Sequence, residues 1–212
     1  MRLWDDDVIS EANLGRQLFA ESELGLHKSV ALINRTNRFF GTNWKAETQK
    51  FEKDDLERLQ SNMQSNIYIS CVDSVKSRFD IAEILNELKI DKGYYRNQCK
   101  YWIDFGNSQF TGQVLLSTIG NIKQPNSKKY ETVESLPFIT EEFGELLKIS
   151  ETEDDTPSCS LAEALEKQDL FINSVLAQMG SSLLWSLFHN GLIENRGFFL
   201  NLKNFQSQPI KL

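Results

Sequence analysis

The apolar run Ile67-Tyr68-Ile69-Ser70-Cys71-Val72 stops at Asp73, and an amphipathic stretch from Ser74 to Lys89 follows at once. Short continuous apolar runs are characteristic of strands covered on both faces, and such strands are usually parallel. In the following stretch Val75, Phe79, Ala82, Leu85 and Leu88 recur on one helical face. The same order stands earlier in the chain. Residues 2–8 read as a strand and 22–38 as a helix, with Leu24, Val30, Ala31 and Ile33 among its apolar positions and Gly41 as its stop. Trp44 to Phe51 alternates as a strand, Asp54 to Leu59 forms a short helix, and two further strands run from Cys99 to Phe105 and from Gln113 to Thr118. This βαβα order predicts an α/β fold built on a mostly parallel sheet with helices on both faces.

The character changes at Gly120. Gln124 to Lys129 is turn-rich, Glu141 to Asp155 is acidic, and 120–158 reads as one long irregular segment. Leu161 to Phe188 then reads as helix in two parts, with Ile172, Val175, Leu176, Met179, Leu183 and Leu187 as its apolar stripe and Gly191 as its end. Phe198 to Leu202 and Pro209 to Leu212 suggest a closing β-hairpin. The expected organisation is a core over 1–119, a connecting loop over 120–159, and a C-terminal helix and hairpin over 160–212 that complete the same domain.

The net charge of −7 leaves no general basic field for nucleic acid or an anionic membrane. No stretch reaches the length of a membrane span, and no basic-then-apolar leader opens the chain. The 3 cysteines, Cys71, Cys99 and Cys159, have neither the even count nor the tight spacing of a disulfide framework or a zinc site, and they fit a reducing cytoplasm. Of the histidines, neither His27 nor His189 has a Ser or Cys partner that suggests a triad.

The chemistry-bearing residues concentrate in the first stretch, Leu3-Trp4-Asp5-Asp6-Asp7-Val8 through Asn13, Arg16 and Gln17 to Lys28. A carboxylate at the C-terminal end of an α/β strand faces the usual ligand crevice and can accept both hydroxyls of a ribose. Arg16 as a planar fork and Lys28 as a point charge are suited to phosphates. Asp73 occupies the equivalent place after the apolar run. A carboxylate there suits Mg²⁺, and it equally suits the N-cap of the next helix. Cys159 precedes a helix, where the dipole favours a thiolate; the neighbouring acidic residues oppose that. Cys71 reads as a residue inside a buried strand and Cys99 as packing.

Asp5, Asp7 and Val8, then Asn13, Arg16 and Gln17, then Lys28, with Asp73 and Arg78 further on, together resemble the ThiF family of adenylating enzymes related to ubiquitin activators. Tyr101 to Asn107, Pro157 to Leu165 and Gly197 to Leu202 are similar to the branch of that family found in the PRTRC cassette of bacterial mobile elements. The resemblance implies a Rossmann-like fold, ATP with its ribose on Asp5 and its phosphates near Asn13, Arg16 and Lys28, and Mg²⁺ on Asp73. It implies a small ubiquitin-like protein as partner, a homodimer, and Cys159 as an optional acyl acceptor. Many relatives carry paired Cys-x-x-Cys zinc ligands, and this chain does not, so no zinc is expected. Ser74 stands where the family has Asn, and Asp104 reads as scaffold. The family's Gly-x-Gly-x-x-Gly loop, expected before the Asp-x-Asp segment, occurs nowhere in this sequence, which begins on the strand carrying Asp5. Three readings follow: a fragment of an adenylating enzyme, a natural short form that borrows the missing piece from a partner, or a binding module that docks a ubiquitin-like protein without ATP turnover. An NAD-type dehydrogenase also needs the glycine loop and leaves Asn-x-x-Arg-Gln unexplained.

Overall fold

The computed structural model describes residues 1–15, 17–55, 65–88, 98–150 and 168–212. They fall into two compact units, one containing Met1–Glu52 and the other containing the described residues of Lys53–Asp155 and Phe171–Leu212.

In the first unit β1 (Arg2–Trp4) pairs in parallel with β2 (Lys45–Glu47), and Arg2 forms an ion pair with Glu47 across the two strands. The connecting helix α1 spans Lys28–Phe40 and buries Ser29, Ala31 and Ile33. It begins later than residue 22 because Gly25 turns the chain at φ +82° and the backbone then pairs with the segment after β1. Gly25 and Ile9 donate to Ile9 and Leu26 carbonyls respectively, and Val8 bridges His27. A 3₁₀ turn at Glu21–Glu23 takes the place of the expected first helical turns. Gly41 ends α1 at φ +65°, a left-handed cap that glycine adopts without a Cβ clash.

The second unit holds a five-stranded sheet in the order β3-β4-β5-β6-β7, where β3 is Ile67–Ser70, β4 Tyr101–Asn107, β5 Thr111–Thr118, β6 Asn195–Asn201 and β7 Gln206–Lys211. The fold is α/β, but the sheets are mixed. The pairs β1–β2 and β3–β4 are parallel, and the other three are antiparallel. The expected mostly parallel sheet therefore holds only for the N-terminal strands. For β4–β5 and β6–β7 the physical reason is connection length: the few residues between Asn107 and Thr111, and between Asn201 and Gln206, allow a hairpin and no crossover.

Helices cover both faces of β4. Tyr101, Ile103 and Phe105 join the cluster of Val114, Leu116, Ile172, Leu176 and Phe198, in which helix α5 (Ile172–Asn190) lies. The opposite face carries Trp102 and Asp104 toward α2 (Val75–Leu88), whose Arg78 bonds Asp104. Gly180 makes close packing of α5 possible, because a Cβ there would fall 2.3 Å from the Phe105 ring.

The stretch 120–158 is not irregular throughout. It contains α3 (Ile139–Glu142) and α4 (Gly144–Ser150), whose Ile139 and Leu147 are buried together with Phe138. Arg196, 4% exposed, forms an ion pair with Glu142 and donates to the Pro137 carbonyl, joining this segment to β6. The expected helix over 161–167, most of the one over 54–59, and Lys89 lie outside the described residues.

Candidate functional site

At the C-terminal end of β1 the chain leaves the sheet with three successive carboxylates. The Asp5 amide continues the ladder by donating to Glu47, and its carbonyl accepts from the buried Ser29 hydroxyl of α1 at 3.1 Å. The Asp5 side chain accepts the Asp7 amide at 2.9 Å. Lys28, the first residue of α1, donates its backbone N–H to the Asp7 carbonyl and its Nζ to Asp7 Oδ2 at 2.6 Å. Its side chain is only 14% exposed while Asp7 is 64% exposed. The ammonium is thus positioned beside the strand end by backbone and side chain together. One carboxylate oxygen from each of Asp5, Asp6 and Asp7 lies within 4.8 Å of the other two. Burial raises the Asp5 pKa above its ordinary value against the opposing Asp7 amide and Lys28 charge, and the Asp7 and Asp6 charges raise it further.

The other expected residues of this stretch have different positions. Asn13 is buried, and its side-chain oxygen accepts from both the backbone N–H and the hydroxyl of Ser10, at 2.9 and 3.1 Å, so it shapes the loop. Gln17 donates its N–H to the Asn13 carbonyl. Arg16 and Cys159 lie outside the described residues. Arg35 was not anticipated: it pairs with Glu23 at 3.3 Å and stands over the Phe19 ring. Its regular place on α1 offered no sequence signal that would single it out.

In the second unit Asp73 follows the end of β3 and is exposed. The helix-cap role belongs to its neighbour. Ser74 Oγ accepts the Ser77 N–H at 3.1 Å and donates to Ser77 Oγ, which is the N-cap geometry for a helix starting at Val75. Asp73 is thereby left available for a ligand. Beneath it Arg78, 3% exposed, donates to the Val72 carbonyl at 2.6 Å, the Ser74 carbonyl at 3.3 Å, the Phe105 carbonyl at 3.3 Å and Asp104 Oδ2 at 3.1 Å. Ser70 donates to Asp104 Oδ1 at 2.6 Å and accepts the Trp102 indole N–H at 2.8 Å. Asp104 is scaffold, as its residue context suggested, and burial raises its pKa in spite of Arg78 and Ser70. Cys71 is a correction. It stands past the last ladder pair, Ser70–Asp104, as an exposed residue, whereas a buried strand position was expected. Its thiol is nevertheless pushed up to about 11 by desolvation, with the nearby Asp104 charge adding to the rise and Arg78 opposing it. Cys99 is half-buried, with its sulfur 3.6 Å from the Tyr68 hydroxyl.

These features define an α/β protein of Rossmann-like type, with acids at the C-terminal ends of β1 and β3 and a lysine fixed beside the first. The sequence pattern of the ThiF family matches residues 1–211, and the chain belongs to that family. Similar solved structures include Escherichia coli MccB with ATP, at 13% identity and TM-score 0.56, covering 99% of this chain and 55% of that one. MccB described as the Microcin C7 biosynthetic enzyme in complex with N-formylated MccA matches at 13% identity and TM-score 0.56, covering 99% and 56%. PaaA matches at 15% identity and TM-score 0.57, covering 99% and 63%. The chain therefore spans little more than half the length of the MccB structures, and these likenesses establish the fold. No curated protein sequence matches significantly. Among the described residues no helix is long and apolar enough to cross a membrane.

Proposed function

We propose that this chain is an adenylating protein of the ubiquitin-activating kind, using ATP to activate the C-terminal carboxylate of a small ubiquitin-like protein. The observation that carries this reading is the Lys28–Asp7 pair beside Asp5 at the end of β1. Family membership over residues 1–211 supports it, as do the neighbours described as MccB with ATP and MccB with MccA. Asp5 accepts the ribose hydroxyls. Arg16, Gln17 and Lys28 surround the phosphates, with Asn13 shaping the loop before them and Asp7 holding the Lys28 ammonium in place. A carboxylate oxygen of the partner attacks the α-phosphorus, the bond to the bridging α–β oxygen breaks, and pyrophosphate leaves an acyl adenylate. The residues contribute positioning and charge neutralisation, with the Arg16 and Lys28 cations facing the charge that develops on phosphate. Asp73, exposed and relieved of capping by Ser74, is a suitable single carboxylate for Mg²⁺. When bound, Mg²⁺ would neutralise phosphate charge. In an optional second step the Cys159 thiolate attacks the acyl carbon and AMP leaves, giving a thioester. We place the protein in the bacterial cytoplasm, in the PRTRC branch, and as a homodimer.

A binding module is the second reading. In that reading the fold docks a ubiquitin-like protein without turnover. Mg²⁺-dependent ATP–pyrophosphate exchange in the presence of a ubiquitin-like protein separates the two. Exchange that Asp73→Ala abolishes supports adenylation, whereas a bound partner with no exchange supports docking alone. A DTT-sensitive adduct that persists in Cys159→Ala would rule out the thioester step.

A further inference from the structure

Position 29, the second residue of α1, is a serine with 0% exposure. The other buried residues of that helix, Ala31 and Ile33, are apolar. A hydroxyl in such a place costs stability unless it is bonded. Its bond goes to the end of β1, where Ser29 Oγ donates to the Asp5 carbonyl at 3.1 Å. Thr36 on the same helix shows the local habit of a helical hydroxyl, bonding back to the Leu32 carbonyl at 2.8 Å. Ser29 instead reaches out of its helix. One residue earlier, the Lys28 N–H donates to the Asp7 carbonyl at 2.9 Å. The first turn of α1 therefore grips the outgoing strand at two carbonyls, one by a side chain and one by the backbone.

The grip centres on Asp5. Its N–H donates to the Glu47 carbonyl at 3.1 Å, its carbonyl accepts from Ser29, and its Oδ1 accepts the Asp7 N–H at 2.9 Å. Peptide units are planar, so fixing the units on both sides of Asp5 fixes the direction of its side chain. Of the three neighbouring carboxylates, Asp7 is taken by Lys28, and Asp6 stands 4.0 Å from Lys50. Asp5 forms no ion pair among the described residues, and its Oδ2 keeps its lone pairs for a ligand.

We propose that Ser29 is a positioning residue that sets the sugar specificity of the nucleotide site: by pinning the Asp5 carbonyl it aims the Asp5 carboxylate at both ribose hydroxyls. The inference rests on the nucleotide reading above and adds to it the residue that separates a ribonucleotide from a deoxyribonucleotide. Without the Ser29 hydroxyl, the peptide between Asp5 and Asp6 loses the bond that fixes it. Rotation of that peptide moves the Asp7 N–H, and the Asp5 Oδ1 that it holds moves with it. The Lys28 ammonium belongs to α1 and keeps its bond to Asp7, so the phosphate side of the site is disturbed less than the sugar side. The loss therefore falls on the 2′-hydroxyl contact, which a general loosening of helix packing would not single out.

The test is calorimetric titration of Mg–ATP and of Mg–2′-deoxy-ATP into the wild type, Ser29→Ala and Ile33→Val. Alanine is smaller than serine and a better helix former, so Ser29→Ala is expected to fold with an unchanged circular dichroism spectrum. Ile33→Val is the packing control, since Ile33 is 3% exposed on the same helix and its side chain has no hydrogen-bonding group. The wild type is expected to bind ATP at least tenfold more tightly than 2′-deoxy-ATP, the effect of one hydrogen bond to a charged group. Ser29→Ala is expected to reduce that ratio to below about threefold, chiefly by weakening ATP, while Ile33→Val keeps the wild-type ratio. A Ser29→Ala ratio equal to that of the wild type, or an Ile33→Val ratio that falls as far, overturns the role of Ser29 and leaves the nucleotide reading standing. A folded wild type that binds neither nucleotide overturns the nucleotide reading together with this inference. One that binds the two equally overturns the ribose role of Asp5 and with it the role of Ser29.

Discussion

Replacing Arg78 by Met is expected to be among the most destabilising single changes in the second unit. The guanidinium is 3% exposed and Asp104 is 1% exposed, so the substitution removes a cation and leaves a carboxylate without water. It also removes the donors to the carbonyls of Val72, Ser74 and Phe105. Breaking a buried ion pair from one side costs about 3–5 kcal/mol, a large part of a domain stability of about 5–15 kcal/mol. Ser70 still donates to Asp104, but a neutral hydroxyl cannot replace a full charge. Burial already raises the Asp104 pKa, and without Arg78 it rises further. The sign follows from linkage. Between the unfolded carboxyl value, about 3.9, and the raised folded one, the folded state holds the extra proton, so the variant loses stability as pH rises through that window. The assay is urea unfolding followed by tryptophan fluorescence, since Trp102 donates to Ser70 within the same network. Arg78→Met combined with Asp104→Leu should recover much of the loss, because an apolar pair of similar volume is often neutral relative to a buried ion pair. A loss below about 1 kcal/mol for Arg78→Met, the level of an exposed pair, would refute the burial and coupling argued here. Strict additivity of the two substitutions would refute the coupling alone.

Gly180→Ala should destabilise by about 1–3 kcal/mol through overpacking, because its Cβ would enter the Phe105 ring of β4; a melting temperature equal to wild type would contradict the close packing of α5. Iodoacetamide labelling of Cys71, followed by peptide mass spectrometry, should keep accelerating with pH to about 11, whereas a labelling rate that levels off near the ordinary cysteine value of about 8.5 would contradict its desolvation. Asp7→Asn should free the Lys28 ammonium from its 2.6 Å partner and weaken Mg–ATP binding about tenfold, read by calorimetry; unchanged affinity would remove Asp7 from the positioning of Lys28.

Much of the fold is legible from local signals. The apolar run ending at Asp73, the stripe of α5 and the left-handed glycines at 41 and 191 correspond to β3, the buried face of α5 and two helix ends. These are properties of short windows, where periodicity or positive φ decides the outcome. What the windows missed depends on residues distant in the chain. Gly25 does not announce that Leu26 accepts from Ile9, so local periodicity extends α1 beyond its true start at Lys28. Cys71 has a strand-like context, but the ladder to β4 stops one residue earlier, at the buried Ser70–Asp104 pair. The choice between Asp73 and Ser74 as helix cap turns on a shift of one residue between two good capping types, and Ser77 decides it. In 139–150 the acidic residues obscured the apolar positions, and Ile139 and Leu147 became visible as core only in three dimensions. At the site, Asp5, Asp7 and Lys28 were legible as types in order. The direct Asp7–Lys28 bond and the Ser10 partners of Asn13 needed coordinates.

The central claim is that the end of β1, with Lys28 and Asp5, is a nucleotide site of a ThiF-family protein. Isothermal titration of Mg–ATP into the folded chain tests it most directly, with Lys28→Ala and Asp5→Ala alongside. The account predicts saturable binding by the wild type that falls at least tenfold in each variant. A folded wild type that takes up no heat from Mg–ATP, or variants that bind as tightly as the wild type, would contradict it.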